Sequence, residues 1–212
     1  MRFIPLLNFE YYHIFSRGVD KRPIFIDDQD RERFIRGLDV INDSNRPRNL
    51  EFRKDSASPD PYLEIAAFCL MSNHFHLLVR QRKDNGVSSF FHRFLNSYAR
   101  YFNLKHGRTG KLFDGRFKVV HIANDKQLAA VQRYIHLNPT EIIEPAWKDG
   151  LCRDVARAWE FIKTYRWSSL IYYLEDLTSG IVFPGLLDGT QGKEHGNILL
   201  SALTDSRSQL PT

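Results

Sequence analysis

Two hydrophobic periods run through this chain, a two-residue alternation and a 3.6-residue stripe, and the switches between them outline its elements. Residues 11–17, Tyr-Tyr-His-Ile-Phe-Ser-Arg, predict a strand that ends at Gly18. A second apolar patch, Pro23-Ile24-Phe25-Ile26, stops at Asp27-Asp28, where either aspartate suits a helix start. Phe34, Ile35, Leu38 and Ile41 then recur on one stripe with charges opposite, which predicts an amphipathic helix ending near Asn42. From 43 to 61 the chain turns polar, carries three prolines and loses its period, so this stretch reads as a loop or insertion.

Order returns at 62–71, a strongly apolar run that predicts a second strand. Ser72-Asn73 suits a tight turn into the run beginning at His74, so the two strands should form an antiparallel hairpin. After a polar break at 81–86, a helix is expected over 87–105. Its broad face carries Phe90, Phe91, Phe94, Leu95, Tyr98, Tyr101 and Phe102, with Arg93, Asn96, Arg100 and Asn103 opposite. Gly107 closes this helix, and a loop leads to a strand at 116–122. A third helix starts at Asn124 or Asp125 and stops near Asn138, because Pro139 disfavours helical geometry in the residue before it. Beyond a connector at 141–150, a helix is expected over 151–165, then a short apolar helix through Leu174. From Gly185 onward, Gly, Ser, Thr and Gln rise, and the tail reads as loosely attached.

Composition narrows the class. Of 212 residues, 42% are apolar and 13% aromatic, too many for a disordered chain. No apolar run approaches the length of a bilayer span, and residues 1–7 lack the hydrophobic segment of a secretory signal. A soluble, cytoplasmic globular protein is expected. Cys69 and Cys152 show no paired spacing and read as reduced and structural. Net charge +5 and a pI near 9.2 are compatible with a polyanionic partner. Arg108, Lys111, Arg116 and Lys118 crowd one segment, offset nearby by Asp114 alone; a solvated basic loop and a phosphate-contacting edge both fit this.

The candidate chemistry starts from His74-Phe75-His76. Side chains alternate in a strand, so the two imidazoles share a face while Phe75, Leu77 and Val79 take the other. Two same-face imidazoles can share one divalent cation, although many such pairs are simply solvated. On the third helix Tyr134 and Asn138 lie one turn apart on one face, with His136 directed well away and Leu128, Val131 and Ile135 forming the adjacent buried stripe. If that face meets the histidines, the Asn138 amide oxygen completes a three-ligand site and the Tyr134 phenol stands beside it. This arrangement suits attack of a tyrosine oxygen on a phosphodiester. Taken singly, Tyr134 also fits a core-edge tyrosine and Asn138 a residue ending a helix before proline.

These residues resemble a known family. His74-Phe75-His76 resembles the His-hydrophobe-His signature of HUH single-tyrosine transposases, and Tyr134-Ile135-His136-Leu137-Asn138-Pro139 resembles the catalytic helix of their REP-associated branch. Ser16-Arg17-Gly18, Met71-Ser72-Asn73, the segment Gly110 to Phe117 and Tyr165-Arg166-Trp167-Ser168-Ser169 resemble further blocks, in order over roughly residues 11–174. The departures are the insertion at 43–61, a Phe113-Asp114 where the branch more often has Trp-Gln, and the tail. The resemblance implies an α+β, ferredoxin-like antiparallel sheet backed by helices with a C-terminal helical extension, as a transposase domain at 1–184 and a polar tail at 185–212. It implies Tyr134 as nucleophile giving a 5′-phosphotyrosine, and His74, His76 and Asn138 holding Mg²⁺ or Mn²⁺. Its substrate would be hairpin-bearing single-stranded DNA, cleaved and rejoined by a monomer or homodimer. Arg17, Asn73, Arg100, Lys111, Arg116 and Lys118 are the corresponding DNA-binding candidates.

Two other readings compete. A non-catalytic single-stranded nucleic-acid binder would leave the histidines structural, against which Tyr134 and Asn138 argue. A zinc hydrolase would need a remote histidine such as His92 or His121, but no carboxylate stands at a telling spacing to act as base.

Overall fold

The strands β1 (Tyr11–Arg17), β2 (Leu63–Met71), β3 (His74–Gln81) and β4 (Lys118–Ile122) pair in the order β2-β3-β1-β4, every neighbour antiparallel. The structure, a computed structural model, describes residues 6–45, 60–175, 177, 180–183 and 192–204. α1 (Asp28–Val40) connects β1 to β2 and α2 (Gly86–Lys105) connects β3 to β4, which gives the βαββαβ order of the ferredoxin-like fold. The α+β expectation holds.

The inward face of each helix follows from its stripe. Asp27 caps α1 by accepting from the Asp30 amide while Asp30 reaches back, closing a capping box. The buried Phe34 of α1 then meets Phe94 of α2 at 4.6 Å and Phe75 of β3 at 5.0 Å between ring centroids. Gly37 makes this crossing possible, since a Cβ there would stand 2.7 Å from the Phe94 ring. The patch Ile24-Phe25 forms no strand; its amides donate to the Ser72 carbonyl of the β2–β3 turn, and both side chains are buried.

α3 (Asp125–Leu137) crosses the opposite face of the sheet, its start capped by Asn124 accepting from the Gln127 amide. It passes into a 3-10 turn at Asn138–Ile142, where the proline at 139 has no N–H to continue the α-helical ladder. The strand expected from 116 begins only at Lys118, and the helix expected from 151 is α4 (Val155–Thr164), because Asp154 caps it. α5 (Leu170–Leu174) follows. Ser169 ties this extension to the edge of β2, its hydroxyl accepting from the Phe68 amide at 2.8 Å and its amide donating to the Phe68 carbonyl at 2.9 Å.

Two expectations need comment. Of the insertion at 43–61, residues 46–59 lie outside the described residues; its ends are pinned together, with Ser44 donating to Asp60 at 2.6 Å and the Lys83 ammonium bonded to the same carboxylate. The loosely attached tail is corrected in part: α6 (Gly192–Thr204) packs Leu199 and Leu203 into a second apolar cluster with Leu137, Trp147, Ala158, Ile162 and Leu170. Five apolar residues crowded into 198–203 give that helix too short a stripe to recognise, yet the cluster over α3 supplies the partner surface. No helix of the described residues is long and apolar enough to cross a membrane.

Candidate active site

The register of β3 against β1 sets the floor of the site. His74 lies opposite Arg17 and His76 opposite Phe15. On the far face of β3, Phe75 packs into the α1–α2 layer, so one strand serves an apolar core and a polar site at once. Tyr134 descends from α3 onto the histidines: its ring meets His76 edge-on at 5.2 Å between centroids and His13 at 6.0 Å. Asn138, one turn on, is fully buried, and neither its Oδ1 nor its Nδ2 has a hydrogen-bond partner among the described residues. It nevertheless lies close enough to His74 to favour that ring's charged form. The four residues singled out for the chemistry are thus brought together.

The imidazoles present themselves in a defined way. Nδ1 of His74 stands 2.6 Å from the side-chain amide oxygen Oδ1 of Asn73, which can only accept, so Nδ1 carries the proton and Nε2 keeps a free lone pair. Nδ1 of His76 is engaged at 2.9 Å by Nε2 of His13, again leaving Nε2 available. Burial holds all three rings neutral, with His13 and His74 pushed down to about 4 and His76 well below its ordinary range. Arg17 and Lys148 push His74 and His76 the same way. Neutral imidazoles and an orphaned buried amide fit a divalent cation, because each offers a lone pair that no hydrogen bond among the described residues takes up.

Three neighbours escaped the sequence reading. His13 sits mid-strand on the same face as Phe15 and Arg17, a polar residue in an apolar run that the alternation would have flagged. Lys148 holds its ammonium 5.4 Å over the Tyr134 ring and pairs with Glu141 at 2.5 Å. Trp147 lies nearly parallel to Tyr134 at 6.4 Å. Glu141, Trp147 and Lys148 come from an aperiodic connector, where no signal in the sequence marks them.

The DNA-binding candidates divide. Arg17 is exposed beside His74, and Lys118 is exposed with its ammonium 5.8 Å over Phe15. The loop carrying exposed Lys111 and Arg116 is pinned to the end of β1, the Val19 amide donating to Leu112 and the Asp114 amide to Arg17. Asn73 spends its amide on His74 and the Lys21 carbonyl, which makes it an orienting residue. Arg100 is exposed on α2, in the layer on the opposite face, and is not brought to the site. His92 lies exposed on α2 and His121 pairs with Glu10, so neither supplies a third ligand. A separate group, Asp27, Asp30 and His106, could hold a cation by its spacing, but Lys105 already places its ammonium 2.6 Å from Asp27 and 3.0 Å from Asp30.

A ferredoxin-like sheet that presents His-x-His to a tyrosine and an amide one helical turn apart defines the class of single-tyrosine transposases. The family model described as "Transposase IS200 like" matches residues 10–138, and the chain belongs to that family. Among solved structures, a REP-associated tyrosine transposase bound to a REP hairpin shares the fold: TM-score 0.57 at 14% identity, covering 91% of this chain and 96% of the other. A tRNA(His) guanylyltransferase from Saccharomyces cerevisiae aligns at TM-score 0.38 and 13% identity over 100% of this chain and 85% of the other, too distant to bear on the site. No curated protein matches the sequence.

Proposed function

We propose that the chain cleaves and rejoins hairpin-bearing single-stranded DNA through a covalent 5′-phosphotyrosine on Tyr134. The observation that carries this reading is the meeting of the Tyr134 ring with His76, with the orphaned Asn138 amide one turn on. The Tyr134 oxygen attacks phosphorus, the bond from phosphorus to the 3′ oxygen breaks, and the phenol proton is exchanged for one on the departing 3′ hydroxyl. Attack by a 3′ hydroxyl on the phosphotyrosine reverses the step and reseals a strand, which conserves the bond energy. His74, His76 and Asn138 are the residues that would hold a divalent ion, whose charge draws electron density from the scissile phosphate. Two imidazoles and one amide oxygen suit Mn²⁺ better than a fully oxygen-ligated Mg²⁺. Lys148 offers a positive charge at the phenol, where a phenolate or phosphate develops negative charge.

Arg17, Lys111, Arg116 and Lys118 provide the phosphate track, with half-buried Phe15 as a face for an unpaired base. The solved transposase of the same fold was bound to a REP hairpin, and a hairpin is the substrate to try first. Incubation with 5′- or 3′-labelled hairpin strands and Mn²⁺, followed by denaturing electrophoresis, should give a protein-bound label on the 5′-phosphate side and a free 3′ hydroxyl. Hairpin binding without any adduct, with and without metal, would leave a non-catalytic binder as the correct reading.

A further inference from the structure

The geometry points to His13 as a positioning residue that fixes the tautomer of His76 by accepting its Nδ1 proton. This deepens the proposed metal site and rests on it. Three observations converge. His13 Nε2 and His76 Nδ1 lie 2.9 Å apart, both rings are buried, and they stack at 5.1 Å with 27° between planes. Antiparallel pairing of β1 with β3 sets the two rings on the same sheet face, where Tyr134 covers them.

One proton occupies that hydrogen bond, so two arrangements exist. If His76 donates from Nδ1, its Nε2 lone pair is bare and can ligate. If His13 donates from Nε2, the proton of neutral His76 sits on Nε2 and the ligand is blocked. Cation binding therefore selects the arrangement in which His13 accepts. A ligating imidazole ordinarily donates its other N–H to an oxygen, and here a second imidazole takes that place. His74 solves the same problem with the Asn73 oxygen, which can accept and never donate. The asymmetry has a consequence. Asn73 holds His74 in one tautomer unconditionally, whereas the His13–His76 pair can rest in either, so part of the binding free energy goes into choosing.

Two substitutions separate this role from simple packing. His13→Leu fills the space and removes the acceptor. His13→Gln places an amide oxygen near the position of the imidazole Nε2 and restores acceptance. Mn²⁺ affinity of the full chain, measured by calorimetry or by electron paramagnetic resonance of free Mn²⁺, should fall about 10–100-fold in His13→Leu, the usual cost of losing an outer-shell partner. His13→Gln should recover to within a few-fold of wild type. In ¹⁵N-histidine-labelled wild-type protein saturated with Mg²⁺, which is diamagnetic, His76 should carry its proton on Nδ1.

A His76 protonated on Nε2 in the metal-saturated protein overturns the inference and removes His76 from the ligand set as well. Wild-type affinity in His13→Leu overturns the inference while leaving the site intact. So does a folded His13→Gln protein that binds Mn²⁺ as poorly as His13→Leu. A wild-type chain that binds neither ion overturns the metal reading, and this inference with it; binding that is lost in His74→Ala but kept in His13→Leu overturns this inference alone. Should His13→Leu not fold, the wild-type ¹⁵N spectrum decides by itself.

Discussion

The two faces of the sheet are built from the same strands by opposite rules. Toward α1 and α2, Phe34 meets Phe94 and Tyr98 edge to face and Phe75 at a tilt, and the one phenol among them is satisfied by donating to the Ile24 carbonyl at 2.6 Å. Toward α3, β1 and β3 present His13, His74 and His76 to Tyr134 and Asn138, and buried polar atoms go without partners on Asn138 and Thr140. Leaving such a group unmet costs about 1–3 kcal/mol, and the α1–α2 side carries its own at Ser16, Arg31 and Asn103, outweighed there by the aromatic packing. A chain this size can carry that strain because the aromatic layer on one side holds the strand register on the other.

The two faces differ most in chemistry. Tyr134→Phe should fold and bind hairpin DNA yet form no denaturant-resistant adduct, whereas Tyr98→Phe and Tyr101→Phe should still form one; an adduct on another tyrosine, mapped by peptide mass, would reassign the nucleophile. Tyr98 faces the core and Tyr101 donates to Asp30, so neither reaches the histidines.

On the opposite face, Phe75→Ala should destabilise the fold by about 3–5 kcal/mol in denaturant unfolding, through lost burial and a residual cavity. A loss under 1 kcal/mol would mean that the aromatic layer does not hold the sheet.

Asn138→Leu should separate stability from function. Mn²⁺ affinity should drop at least about tenfold, while the melting temperature stays level or rises because an orphaned amide is removed. Full Mn²⁺ binding by this variant would remove Asn138 from the ligand set.

A milder effect concerns acid. His136 and His195 share a 2.9 Å hydrogen bond between α3 and α6, and burial lowers both, His195 to about 4. The unfolded chain takes up protons from about pH 6.5, while folded His195 resists until about pH 4 and burial also holds His136 neutral, so stability is complete above 6.5 and falls as pH drops below it. The slope should approach about 1.4 kcal/mol per pH unit for each histidine, and His195→Leu should flatten it. Equal pH dependence in variant and wild type would place the acid sensitivity elsewhere.

The smallest effect is at the surface. Lys111→Ala and Arg116→Ala should each lower the slope of log affinity against log salt by about 1, and Arg100→Ala, on the other layer, should not. A larger change for Arg100→Ala would move the DNA path to α2.

Much of the fold was legible because period reports burial. The alternation in 74–79 separated histidines from Phe75, Leu77 and Val79, the stripes of α1, α2 and α3 marked inward faces, and Pro139 marked the end of α3. The spacing of Tyr134 and Asn138 also placed both on one helical face, because helix geometry is local. Which elements meet is not local. Only the antiparallel register of β1 with β3 set His13 against His76, and only the turn after Asn138 swung Glu141, Trp147 and Lys148 to Tyr134. The tail illustrates the same limit: α6 is stabilised by a surface that Leu137, Ile162 and Leu170 assemble from three separate segments. A sequence determines what each residue prefers to do beside its neighbours in the chain. The packing of elements decides which of those preferences find a partner across space, and among the described residues it left Asn138 without one.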